Sequence, residues 1–115
     1  MTDPLITRDK FIEYVAPLVV DGKPSEVIAT ACLKTGFGKY VYGRNLFRKE
    51  WFDGCGYPYV EVKVRKYEGG RNIGQIIKLR KYRSWTDSMK DYEIDGNVQG
   101  IIKLYDLEKY DKEVD

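Results

Sequence analysis

Between Thr7 and Gly22 the apolar residues Phe11, Ile12, Val15, Leu18 and Val19 recur at helical spacing. The spacing predicts a first helix with Thr7 as N-cap, kinked or ended by Pro17. A second helix starts near Pro24 and Ser25 and turns Val27, Ile28, Ala31 and Cys32 inward, until Gly36 supplies a left-handed C-terminal residue. Lys34 then lies in its last turn. From Gly36 to Tyr57 the periodicity dissolves among glycines and aromatics, which predicts a packed loop in which Asn45 holds the backbone rather than a ligand. Alternation returns at Val60, Val62 and Val64, and with the Gly69-Gly70 turn and a second strand around Ile76 to Tyr82 it predicts a β-hairpin. Lys66 continues the even-numbered series of the valines, so parity turns its side chain toward the apolar face. Ser84 opens a third helix with Asp87 as capping-box acid, broken at Asp95-Gly96-Asn97. Val98, Ile101, Ile102 and Tyr105 form a last amphipathic stretch before an acidic tail, about 108–115, that is expected to fray.

Composition narrows the chemistry. At 115 residues and 43% hydrophobic content the chain fits a single domain, 1–115, with a core of modest size. Twenty Lys and Arg offset eighteen Asp and Glu, and a net charge of +2 argues against a dedicated nucleic-acid binder. Locally, Lys63 to Arg83 carries eight cations against Glu68 alone, which predicts one basic face. Two cysteines and no histidine exclude a Cys/His zinc site, a Ser-His triad and a Cys-His nucleophile, so no metal and no cofactor are expected. The N-terminal stretch has no basic segment followed by a long apolar run, and no span approaches membrane length. The expectation is a soluble, cytoplasmic protein with reduced thiols and no membrane partner.

Four segments in order carry a resemblance. "FIEYVAP", "TACLKTGFG", "RNLF" and "LRKYRSWTDS" follow the patterns F-I-x-x-x-A-P, A-x-x-L-E-S-G-W-G, N-L-F and F-R-K-Y-x-S-W-x-D-S. These resemble the N-acetylglucosaminidase domain of bacterial autolysins and flagellar muramidases, over about residues 10–93. The resemblance implies an α+β, compact lysozyme-like fold, with a helical lobe, a β-hairpin lobe and a groove between them. It also implies that the family's further C-terminal helices are shortened or missing here.

In that family the glutamic acid of E-S-G-W-G is the general acid, and it maps onto Lys34. A second acid on the hairpin maps, by counting back from R-K-Y, onto Lys66. Glycoside cleavage needs a carboxylic acid tuned toward neutrality and negative charge near an oxocarbenium-like transition state. A lysine cation protonates a glycosidic oxygen poorly and repels that charge. The mapping therefore predicts a protein that is not an enzyme. Its former active-site groove would bind an anionic small ligand, a nucleotide or phosphorylated sugar, through Lys34 and Lys66. Phe37, Tyr59 and Tyr82 would stack on a ring, and Arg65 and Arg80 would contact phosphate. The accompanying expectation is a phage or mobile-element protein inside a bacterial host, sequestering a nucleotide-type immune signal. The alternatives are a peptidoglycan-binding or peptidoglycan-hydrolysing protein of phage lysis or tail, with a glycan as partner, and a protein-interaction module. Tyrosines such as Tyr105 and Tyr110 allow for a homo-oligomer.

Overall fold

In the computed structural model, which describes residues 7–113, Thr7 caps the first helix as its position predicts. Its hydroxyl accepts from Lys10 N at 3.1 Å, and α1 runs Arg8–Val15 with Phe11, Ile12 and Val15 buried. Pro17 does not extend the helix: Ala16–Leu18 tightens into a 3-10 turn. Helix α2, Pro24–Thr35, is almost wholly enclosed, which explains its run of small and β-branched residues. Its N-terminal Ser25 N–H is met by Asp111 Oδ1 at 2.8 Å, a carboxylate placed at the positive end of the helix.

The C-terminus of α2 sets the local geometry. Gly36, Phe37 and Gly38 all have positive φ, at 59°, 59° and 88°. Thr35 Oγ1 donates to Ala31 O at 2.7 Å and accepts from Gly38 N at 2.9 Å, which closes the turn. A Cβ at Gly38 would lie 2.5 Å from Phe11 Cδ1, so glycine there lets the turn sit directly on the Phe11 ring.

Strands β1, Tyr59–Glu68, and β2, Arg71–Arg80, form an antiparallel hairpin joined by Gly69 and Gly70, both with positive φ as a two-residue turn requires. β2 begins five residues before the predicted Ile76 and ends before Tyr82. The base of the hairpin packs: Val62 and Leu79 are its buried residues among those described, and Glu50 bridges to Leu79. The outer half projects as an arm with Tyr67, Ile73 and Ile76 exposed. Parity holds along β1, yet Lys66 is exposed rather than turned onto an apolar face, because by that residue the arm has left the globule.

Ser84 caps α3, Trp85–Lys90, accepting from Asp87 N at 3.1 Å. The helix stops at Lys90, and residues 91–95 leave it without helical structure. Helix α4, Gln99–Leu104, buries Ile102, and a 3-10 helix, Leu107–Glu113, follows. The acidic stretch, expected to fray, is instead helical as far as Glu113, with Leu107 fully buried and Asp111 on α2. The last two residues of that stretch, 114 and 115, lie outside the described residues. The core gathers Phe11, Val15, Val27, Ile28, Cys32, Leu46, Phe47, Met89 and Val98 around α2.

Candidate functional site

The end of α2 and the base of the hairpin face each other across a groove of about 400 Å³. Its lining includes Lys34, Lys49, Glu50, Phe52, Arg80 and Glu93. Asn45 ties its floor. This residue is 2% exposed, donates through Nδ2 to the carbonyls of Lys49 and Arg80, both at 2.9 Å, and accepts from Lys49 N at 2.9 Å. One amide therefore fixes the loop against the end of β2, the structural role its sequence context suggests.

Three of the groove cations meet acids. Lys34 Nζ lies 3.3 Å from Asp95 Oδ2, Lys49 Nζ 3.7 Å from Glu93 Oε1, and Arg80 NH1 2.8 Å from Asp91 Oδ2. Asp91, Glu93 and Asp95 alternate along the segment leaving α3 and form an acidic rail beside the groove. Thr30 Oγ1 accepts from Asp95 N at 3.0 Å and so docks the end of the rail on α2. The Asn97 N–H and then Lys34 hold the Asp95 carboxyl below the usual carboxylate range. Tyr82 also bonds Asp91 through its hydroxyl. Burial, and then that carboxylate, push its phenol well above the ordinary tyrosine range.

These pairings alter the charge expected of the cleft. Lys34 reaches the predicted groove but is not an unanswered cation, because Asp95 is beside it. Lys66 is not brought to it: its register partner Ile73 lies four residues beyond Ile77, the outermost strand residue of the lining, or roughly 13 Å along the strand. Arg65 is likewise on the exposed arm, near Lys63 and Asn72. Phe37 packs on Tyr105 with a centroid distance of 5.0 Å, under the Arg8 guanidinium at 4.9 Å. Tyr59 packs tilted against Trp51 with a centroid distance of 4.9 Å and has Lys78 Nζ above its ring at 4.5 Å. Tyr82 is 3% exposed, beneath Tyr57. Of the seven candidate residues, Lys34 and Arg80 are the two that line the groove.

The residues overlooked are the acids: Glu50, Asp91, Glu93 and Asp95. The signal for the last three is present as "DYEID", three acids at a spacing of two. A third helix running to Asp95 hides it, because a helix scatters acids at this spacing. The rail needs a non-helical backbone. Among the described residues no group of three or more Cys, Asp or Glu stands close enough to hold a metal ion, and no helix is long and apolar enough to cross a membrane.

No protein-family model matches the chain, and no curated protein matches it at a significant level. Solved structures do. A C-terminally truncated glycoside hydrolase domain of FlgJ from Salmonella typhimurium superposes with a TM-score of 0.59 at 19% identity, over 74% of this chain and 65% of that one. A peptidoglycan hydrolase mutant from Sphingomonas sp. A1 gives 0.57 at 22%, over 74% and 63%. The catalytic domain of the autolysin Auto from Listeria monocytogenes gives 0.58 at 22%, over 79% and 56%. The match thus spans less than two thirds of each of these chains. The lysozyme-like, glucosaminidase-like α+β fold expected from the sequence is the fold of this chain. The expectation of a protein outside the enzymes is corrected by the same comparison: the scaffold that carries Lys34 is one used by hydrolases.

Proposed function

We propose that the chain is a glucosaminidase-like domain that takes the glycan strand of peptidoglycan into the groove between α2 and the hairpin base and acts on it as a glycoside hydrolase. The observation that carries this reading is the fold shared with a glycoside hydrolase domain, a peptidoglycan hydrolase and an autolysin. The groove's charge is consistent with it. Lys34, Arg48, Lys49 and Arg80 are offset by Glu50 and Glu93 in the lining and by Asp91 and Asp95 at its edge. Balanced charge suits a hydroxyl-rich sugar strand better than a bare anion. Lys34 cannot act as the general acid, so the two carboxylates that line the same groove, Glu50 and Glu93, are assigned the proton-transfer and charge-stabilising roles that glycoside cleavage requires.

The test uses purified bacterial cell walls. Co-sedimentation reports binding, and release of reducing sugar ends reports cleavage. Glu50→Gln or Glu93→Gln is expected to lower cleavage by about 10²- to 10⁴-fold while binding persists. A chain that releases no reducing ends would sink the hydrolase reading, and one that also fails to sediment with cell walls would sink the glycan reading with it.

A further inference from the structure

A second cavity, of about 830 Å³, lies beyond the groove, and its lining includes Arg44, Tyr57, Lys81, Arg83, Asp87 and Lys90. Arg80 lines the groove, Tyr82 lines this cavity, and both bond Asp91, so that trio is the partition between the two. The charge on the far side is of a different kind. Arg44, Lys81, Arg83 and Lys90, all solvent-exposed, line the space, and Asp87 is the one acid among the described residues of its lining, an excess of three positive charges. Among the described residues none of these four cations lies within ion-pair distance of a carboxylate, whereas three of the four cations that line the groove, Lys34, Lys49 and Arg80, are paired and Arg48 is not.

The backbone holds this cavity in shape. Tyr82 N donates to Gly43 O at 2.9 Å and Lys81 N to Pro58 O at 2.8 Å, which ties three separate segments into one wall. A Cβ at Gly43 would stand 2.9 Å from Val60 Cγ1 and 3.3 Å from Lys81 Cα, so the missing side chain allows the loop bearing Arg44 to close on the segment bearing Lys81. Arg44 follows in the left-handed region at φ 57°. Tyr57 and Pro58 supply an apolar side, with the Tyr57 ring set on Tyr82 at 4.9 Å.

We infer that this cavity is a second binding site, for a ligand that carries two or more phosphate or carboxylate groups beside a ring or apolar body. Two arginines give the planar forks that take such groups in paired hydrogen bonds, and the two lysines add point charge. Tyr57 and Pro58 would meet the uncharged part of the ligand. The volume lies within the range of small-molecule sites. The inference stands apart from the glycan reading, since it uses none of the groove residues. The two are linked only if the ligand is the carboxylate-bearing peptide attached to a glycan strand.

Titration calorimetry on the full chain at low salt tests it, with three probes: inorganic pyrophosphate, ADP, and a soluble disaccharide-peptide fragment of peptidoglycan. One-site binding of at least one probe, weakened by added salt and about tenfold by Arg44→Ala or Arg83→Ala, is the expected result. Binding of pyrophosphate or ADP identifies a phosphate ligand, and binding of the fragment alone identifies the peptide carboxylates. Lys63→Ala with Arg71→Ala, which removes charge from the arm instead, should leave the affinity unchanged. The inference is overturned if none of the probes gives saturable heat, if the arm variant loses as much affinity as the cavity variants, or if folded Arg44→Ala and Arg83→Ala bind like the parent.

Discussion

Lys34 Nζ stands 3.3 Å from Asp95 Oδ2, so the last turn of α2 and the acidic rail are joined by an ion pair at the mouth of the groove. The pair has a consequence for any attempt to restore a carboxylate at the end of α2. Lys34→Glu alone would set two acids against each other, with Asp95 held in place by Thr30 and Asn97. That variant is expected to lower the urea midpoint, and Lys34→Glu combined with Asp95→Lys should recover most of the loss. Equal midpoints for the single and double variants would show that the pair is not coupled. Asp95 also fixes the sign of an acid-side effect. Its depressed carboxyl contributes stability that is present above about pH 4 and lost as pH falls through the lower folded value. Asp95→Asn should flatten that limb.

Gly38 gives the second prediction. Its positive φ of 88° disfavours any side chain, and a Cβ there would stand only 2.5 Å from the Phe11 ring. Gly38→Ala should cost about 2–4 kcal/mol, since strain in the turn adds to overpacking of the Phe11 ring. Denaturant unfolding measures it, and a loss under about 0.5 kcal/mol, the range of ordinary surface substitutions, would mean that the turn relaxes freely.

How far the sequence can be read depends on whether the signal is local. Thr7, Ser84 and Gly36 announce their helix ends because each acts within one turn of its own position. The hairpin is legible from the valine alternation and the glycine pair for the same reason. The fold of the whole is legible through the order of the motifs around Lys34, Asn45 and Tyr82. Lys66 is misplaced by parity, which says which face a side chain takes, not whether anything covers that face once the strand has left the globule. The acidic rail escapes because it depends on α3 ending at Lys90, and the basic cavity because Arg44 is far in sequence from Lys81, Arg83 and Lys90.

Alkaline pH should unfold the chain sooner than its core alone would suggest. Burial raises the Cys32 thiol to about 12, and burial with the Asp91 carboxylate raises the Tyr82 phenol. Both groups stay protonated in the folded chain where the unfolded chain ionises, so the unfolded state binds fewer protons and stability falls as pH rises past about 9 to 10. Urea midpoints at pH 8 and pH 10.5 should differ, with the alkaline one lower. Tyr82→Phe should lower the midpoint at pH 8, by losing the bond to Asp91, and shrink the difference between the two pH values. An unchanged difference would assign the alkaline loss elsewhere.

Asn45 joins the stability of the fold to the groove. Its amide makes three hydrogen bonds from a nearly sealed position, two to carbonyls and one from the Lys49 N–H, and these position Lys49, Glu50 and the end of β2. Truncation leaves those backbone groups without partners where water enters poorly, so Asn45→Ala should cost about 2–4 kcal/mol. Asn45→Asp separates the two roles of the amide. A carboxylate still accepts from Lys49 N, but at neutral pH it faces the Lys49 and Arg80 carbonyls as a second acceptor with no proton to give. The aspartate variant should therefore be no more stable than the alanine variant at pH 7 and should gain on it as pH falls and the carboxyl recovers a donor. The loss should extend beyond global unfolding. Hydrogen exchange at Lys49 and Trp51, whose amides bond Asn45 Oδ1 and Lys78 O, should quicken in Asn45→Ala under conditions where α2 remains protected. Uniform quickening of α2 together with the loop would instead make Asn45 part of the global fold and not a clamp on the groove.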